Sequence, residues 1–185
     1  MKARTYSFIV IILLIAAGAY VVLSPVDPDP DILAEVERLS AVHQKRISQQ
    51  DYYIIIDYDL PIFKKRLWVI KAGSGEVIRH CHVSHAWNSG FLYAVDLSNE
   101  MDTEKSCAGA FVTAENYEGQ YGYAMRIDGL QPGVNDNARP RAIVFHEHWW
   151  PWSKGCFMTL PEVNRQLIDL TQGGTLLYVS AKTTS

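Results

Sequence analysis

Cysteine is scarce in this chain, three residues in 185, and no two of them form a Cys-x-x-Cys pair. The count excludes a cystine framework, and the spacing argues against a thioredoxin-like redox site. Basic residues are neither abundant nor clustered: seventeen Lys and Arg against twenty Asp and Glu leave a net charge of −3. Without a basic stripe to meet a phosphate backbone, nucleic acid is not an expected partner. Internal repeats and low-complexity tracts are lacking. Two histidine groupings, His80 and His82 with His85 and His146 and His148 with Cys156, have spacings that can chelate zinc. Neither is completed by a carboxylate or a Cys-x-x-Cys framework, so no metal or other cofactor is expected.

Long apolar runs are also few. Residues 6–23 form one, free of charge, preceded by Lys2 and Arg4 and broken at Ser24-Pro25. It is about long enough to span a bilayer as a helix. Positive charge on its short side predicts that the rest of the chain faces the exterior or periplasm. Ala16, Ala17, Gly18 and Ala19 also permit signal cleavage, so residues 1–24 are a signal anchor or signal peptide; Val21, Val22 and Leu23 prolong the run and favour the anchor. In an oxidising compartment an odd cysteine count leaves at least one thiol unpaired. Cys156 is expected to be that one, while Cys81 and Cys107 form either a disulfide or two buried thiols.

Residues 25–50 combine an acidic, proline-rich spacer with a helix. Asp29 is the expected N-cap and Pro30 the first helical residue. Ile32, Val36, Leu39, Val42 or His43, and Ile47 recur at helical spacing as a packing stripe. From Asp51 the texture becomes that of strands, predicted over 52–58, 67–71, 76–84, 110–113, 123–127, 142–146 and 175–180. Gly73-Ser74-Gly75 reads as a hairpin turn, and Leu130-Gln131-Pro132-Gly133 as another turn. A helix begins at Pro161 and stops at Gly173-Gly174. The expected fold is therefore mostly β, an antiparallel sheet folded on itself with one or two helices packed outside. One globular domain, 51–185, follows the linker.

The stretch richest in chemistry is 141–157, RAIVFHEHWWPWSKGCF. A strand delivers His146 just upstream of the Ser153-Lys154-Gly155-Cys156 turn. An ordinary thiol is little ionised near neutrality, so a nucleophilic cysteine needs a histidine or another positive influence nearby. The two meet if residues 147–152 fold back. Gly155 allows close backbone approach, and its N–H with that of Cys156 can receive an oxyanion. The plainer alternative is a buried, inert cysteine.

In order along the chain, Val83-Ser84-His85, Leu97-Ser98-Asn99, Lys105-Ser106, Gly109-Ala110-Phe111-Val112-Thr113, Tyr117-Glu118-Gly119, Tyr121-Gly122-Tyr123, Arg126-Ile127-Asp128-Gly129-Leu130, Gly133-Val134-Asn135-Asp136-Asn137-Ala138-Arg139, Arg141 through His146, and Ser153 with Gly155-Cys156 resemble the L,D-transpeptidase (YkuD-like) catalytic domain, in its murein subgroup. The resemblance implies a YkuD-like β-sandwich or barrel and acyl transfer on peptidoglycan tetrapeptide stems, through a thioester on Cys156, or the corresponding L,D-carboxypeptidase hydrolysis. His146 would be the base, with Gly155 and Ser153 completing the catalytic turn. Substrate contacts are expected from His85, Lys154, Arg126, Arg139, Tyr121 and Trp149. For Arg126 and Arg139 the plainer reading, as braces of the Asp128 and Asp136 turns, is the safer one, and Trp149 is equally readable as part of a lid over the core. A monomer is expected. The alternative function is a catalytically idle, peptidoglycan-binding envelope protein that keeps the fold.

Overall fold

The structure, a computed structural model, describes residues 11–13 and 26–182. Nearly all of the apolar run assigned to an anchor, and hence that assignment, lies outside the described residues. Among the described residues no helix is long and apolar enough to cross a membrane.

Helix α1 (Pro30–Val42) starts as its cap residues dictate: the Asp29 side chain accepts the Asp31 N–H at 2.9 Å, and Pro30 occupies the first turn. Its stripe is shorter than the periodicity suggested. Ile32, Val36 and Leu39 are buried, but Val42 is exposed, and Ile47 is buried only after the helix has ended at His43. The strands are β1 (Tyr52–Asp57), β2 (Leu67–Lys71), β3 (Val77–Cys81), β4 (His85–Ala86), β5 (Gly109–Gly119), β6 (Gly122–Gly129), β7 (Val144–Glu147), β8 (Trp152–Ser153), β9 (Phe157–Thr159) and β10 (Leu176–Ser180), with helix α2 (Pro161–Thr171) between β9 and β10. Eight of them form one sheet in the order β3-β2-β1-β10-β5-β6-β7-β9, while β4 and β8 form a small parallel pair.

Pairing in the large sheet is antiparallel except for β1 with β10 and β7 with β9. Both faces are apolar, which explains the unbroken Ile54-Ile55-Ile56 run: Ile54 and Ile56 enter the cluster with Phe111, Phe145, Phe157 and α2, and Ile55 points to the one holding Trp68 and α1. The sheet curls until it is nearly closed. Its two edges, β3 and β9, are joined through Ser84, whose N–H donates to Met158 O at 3.0 Å and whose Oγ accepts the Met158 N–H at 2.9 Å. Cys81 and Cys107 are free and buried, and burial pushes both thiols up to about 12.

Candidate active site

The register of β7 and β9 decides which side chains share a face. Phe145 pairs with Phe157 and His146 with Met158, so alternation turns both phenylalanines into the core and leaves His146, Met158 and, one step before β9, Cys156 on the other face. His146 is buried, and its ring stacks on Tyr121 at 4.8 Å between centroids. Its Nδ1 lies 3.0 Å from Glu147 O. A carbonyl only accepts, so Nδ1 carries the proton and Nε2 is left as the acceptor of the neutral ring. Burial, together with the charge of His148, holds the imidazole below its ordinary 6.5 despite the Glu147 carbonyl.

Cys156 is half-buried and lies in a cavity of about 230 Å³ lined also by Tyr117, Tyr121, Ala124, Ala142 and Val144. Its Sγ makes a long contact, 3.7 Å, with Ala142 O. Burial raises the thiol above its ordinary value, opposed by the Val144 backbone and the Arg141 charge. Thiol and imidazole are thus both neutral at rest. Gly155 takes φ +122°, and a Cβ there would sit 3.2 Å from Lys105 O, so this turn needs glycine. Its N–H donates to Ser153 Oγ at 3.1 Å, so in this structure that amide is committed within the turn rather than open to an oxyanion. Ser84 supports the turn from behind, donating its Oγ to Cys156 O at 3.1 Å.

Several expected substrate contacts lie elsewhere. His85 is fully buried, with Nδ1 2.8 Å from Arg66 Nη2 and Nε2 2.8 Å from Gly90 O; both nitrogens are used, so it braces the interior instead of lining the cleft. Arg126 and Arg139 converge on Glu115, at 3.2 and 3.0 Å, and Arg139 also pairs with Asp128. Arg126 in addition lies over the Tyr117 ring at 4.6 Å. These arginines are braces. Lys154 pairs with Glu104 at 2.8 Å, both exposed, beside a second, polar cavity of about 270 Å³ that shares Ala142 with the thiol cavity. Trp149 protrudes into a third cavity.

Two positions that bear on the thiol were not among the expected site residues. Arg141 donates to Ser98 O, Lys105 O and Thr103 Oγ1, and its charge favours the ionised form of the Cys156 thiol. Ala142 takes φ +53°, a conformation L residues avoid, which aims its carbonyl at Sγ. Neither composition nor spacing announces a strained alanine.

Burial and the Arg66 charge hold His85 down to about 4 from 6.5, opposed by Gly90 O. The unfolded chain therefore takes up a proton between pH 6.5 and about 4 that the folded protein refuses. This contribution to stability is complete above 6.5 and is lost as pH falls toward 4, by on the order of 3 kcal/mol. Urea midpoints measured at about pH 7 and about pH 4.5 should separate less in His85→Gln than in the parent. An equal separation would remove His85 as the cause.

The sequence matches the model of the L,D-transpeptidase catalytic domain over residues 29–180. None of the curated proteins compared matches the chain. Similar solved structures include an L,D-transpeptidase from Mycobacterium smegmatis, 15% identical with a TM-score of 0.45, where the similarity covers 71% of this chain and 59% of that one. The Stackebrandtia nassauensis L,D-transpeptidase is 14% identical, TM-score 0.48, covering 80% and 65%. A cysteine-to-serine mutant of the Enterococcus faecium L,D-transpeptidase is 20% identical, TM-score 0.46, covering 70% and 50%. The chain thus spans half to just under two thirds of the length of these structures. The family match runs from the α1 cap at Asp29 to the end of β10 at Ser180, across every strand and both helices of the domain, and the chain belongs to the L,D-transpeptidase catalytic-domain family.

Proposed function

We propose that this domain is a cysteine acyltransferase acting on peptidoglycan tetrapeptide stems, held by residues 1–24 at the outer face of a bacterial inner membrane, and working as a monomer without a cofactor. The observation that carries the reading is the β7–β9 register, with His146 and Cys156 on one face and His146 Nε2 free to accept. Cys156 Sγ turns from Ala142 O and attacks the carbonyl joining the third stem residue to the terminal D-alanine, giving its proton to His146 Nε2. The Cys156 N–H receives the developing oxyanion, joined by that of Gly155 if Ser153 yields it. The C–N bond then breaks, the departing D-alanine amine takes the proton from His146, and a thioester remains on Cys156. An amine of another stem, or water, attacks that thioester in the second half-reaction and restores the thiol. Tyr121, stacked on His146, flanks the incoming acyl group.

A second reading, an idle wall-binding protein, is favoured by one observation: the resting thiol addresses Ala142 O rather than the imidazole. A carbapenem separates the two. The folded, reduced full chain should gain a single covalent adduct on Cys156 by intact mass. Its rate should fall as pH drops through a value below 6.5, where His146 becomes protonated and loses its basic nitrogen. A folded protein that forms no adduct sinks the acyltransferase reading.

A further inference from the structure

The largest of the cavities described, about 330 Å³, is not used by the chemistry above. It reaches the same face as the thiol: Met158, which lines it, lies two residues beyond Cys156 on β9, roughly 7 Å along the strand. Its outer wall is the 148–151 loop between β7 and β8. Trp149 and Trp150 are 75% and 60% exposed there, with Phe63 and Leu160 also exposed, which is unusual for large apolar side chains gathered in one place. Behind the loop, Trp152 holds the base of the platform, stacked on Phe91 at 5.1 Å, packed against Trp87 at 4.9 Å, and donating Nε1–H to Phe91 O at 3.0 Å. Trp150 packs on that Trp152 ring at 5.8 Å between centroids, while Trp149 faces solvent.

The polarity of the lining narrows the occupant. Among the described residues no Asp, Glu, Lys or Arg lines this cavity; its titratable groups are the imidazoles of His82 and His148. A ligand bearing a carboxylate, ammonium or phosphate would lose its hydration there with no opposite charge in return. What fits is an uncharged ring with an apolar face to lie on indole and hydroxyl or amide groups at its edge to meet imidazole. We infer that the Trp149–Trp150 cavity is a binding subsite for uncharged N-acetylhexosamine units, the glycan strand beside the stem peptide. This rests on the reading of the domain as a peptidoglycan-directed acyltransferase. The site then grips its polymer at two points, the charged stem at Cys156 and the neutral strand beyond Met158.

The test is a fluorescence titration of the full chain in detergent with an N-acetylglucosamine tetrasaccharide. The parent should show a saturable change in tryptophan emission. Trp149→Ala and Trp150→Ala should each weaken it about tenfold or more, as truncating a stacking tryptophan does. Trp149→Phe should retain a measurable response, and the exposure of these rings leaves the fold intact in each variant. Absence of a response in the parent, or equal binding in all variants, overturns the subsite. So does quenching of the parent's emission by brominated lipid after reconstitution into bilayers, when it is lost in Trp149→Ala and no saccharide response exists, because the surface then belongs to the membrane. Carbapenem adduct formation on the same preparation separates the two proposals. Adduct without saccharide binding removes the subsite alone, and Trp149-dependent saccharide binding without adduct keeps the glycan site and removes the acyltransferase.

Discussion

Cys156→Ala is expected to abolish covalent capture of a carbapenem and to lower turnover of a tetrapeptide stem by on the order of 10⁴ or more, because the proposed thioester forms on that sulfur and the other two thiols are buried. His146→Ala should slow both by roughly 10²–10⁴, the range for a positioned general base. The two losses should not add: with the sulfur gone, removing the imidazole has nothing left to act on. Burial raises the thiol and lowers the imidazole, so the proposed reaction calls for proton transfer during attack and not for a stored thiolate. Iodoacetamide alkylation of Cys156 should accordingly still be accelerating above pH 9, whereas a preformed ion pair would plateau near neutrality. A plateau there, or an adduct surviving Cys156→Ala, would contradict this account.

Arg66→Met should cost about 3 kcal/mol or more of stability, lowering the melting temperature by roughly 6–12 °C. Arg66 is fully buried, and its guanidinium donates to Val83 O through two nitrogens, to Leu60 O at 3.0 Å and to His85 Nδ1, while lying 4.9 Å from the Tyr58 ring centroid. Methionine fills much of the volume but strands those acceptors without water. Relief of the charge's own desolvation, which already pulls the arginine down to about 10, offsets only part of that. Arg66→Lys should recover little, since one ammonium cannot span the fork. The loss should also loosen the nucleophile: the Val83 carbonyl held by Arg66 adjoins Ser84, which joins β9 and the Cys156 carbonyl. Arg139→Met is the contrast. It removes several ion-pair contacts at a partly exposed surface and should cost about 1 kcal/mol or less. Similar losses for the two variants in chemical denaturation would refute the hub role of Arg66.

Much of the architecture was legible because its causes are local. Asp29-Pro30 starts α1, Pro161 and Gly173-Gly174 bound the second helical stretch, and the β-branched and aromatic runs around 52–57, 67–71 and 176–180 are strands whose side chains alternate between two apolar layers. Bounds drifted where hydrogen-bond partners set them: β5 runs on to Gly119 because pairing with β6 resumes at Asn116 after an irregularity, well past the apolar 110–113 core. The short strands β4, β8 and β9 went unread, since two or three residues carry no period and exist only because a neighbour supplies the ladder.

For the site, the sequence alone determined the chemical types: a lone thiol in a glycine-containing turn, a histidine ending a strand just upstream, and an ordered set of motifs resembling the family to which the chain belongs. Tertiary structure alone decided which groups serve that thiol. His85 belongs to a conspicuous motif yet faces inward, where the buried Arg66 guanidinium and the Gly90 carbonyl occupy both of its ring nitrogens. Arg126 and Arg139 look like anion binders, but Glu115 and Asp128 reach them first across adjacent strands. The left-handed Ala142 lies against Cys156 because the turn after residue 138 folds that way, a backbone choice that no spacing encodes. Residue type is a property of the chain, but exposure, partner and backbone angle arise only when distant segments compete for the same hydrogen bonds and the same space.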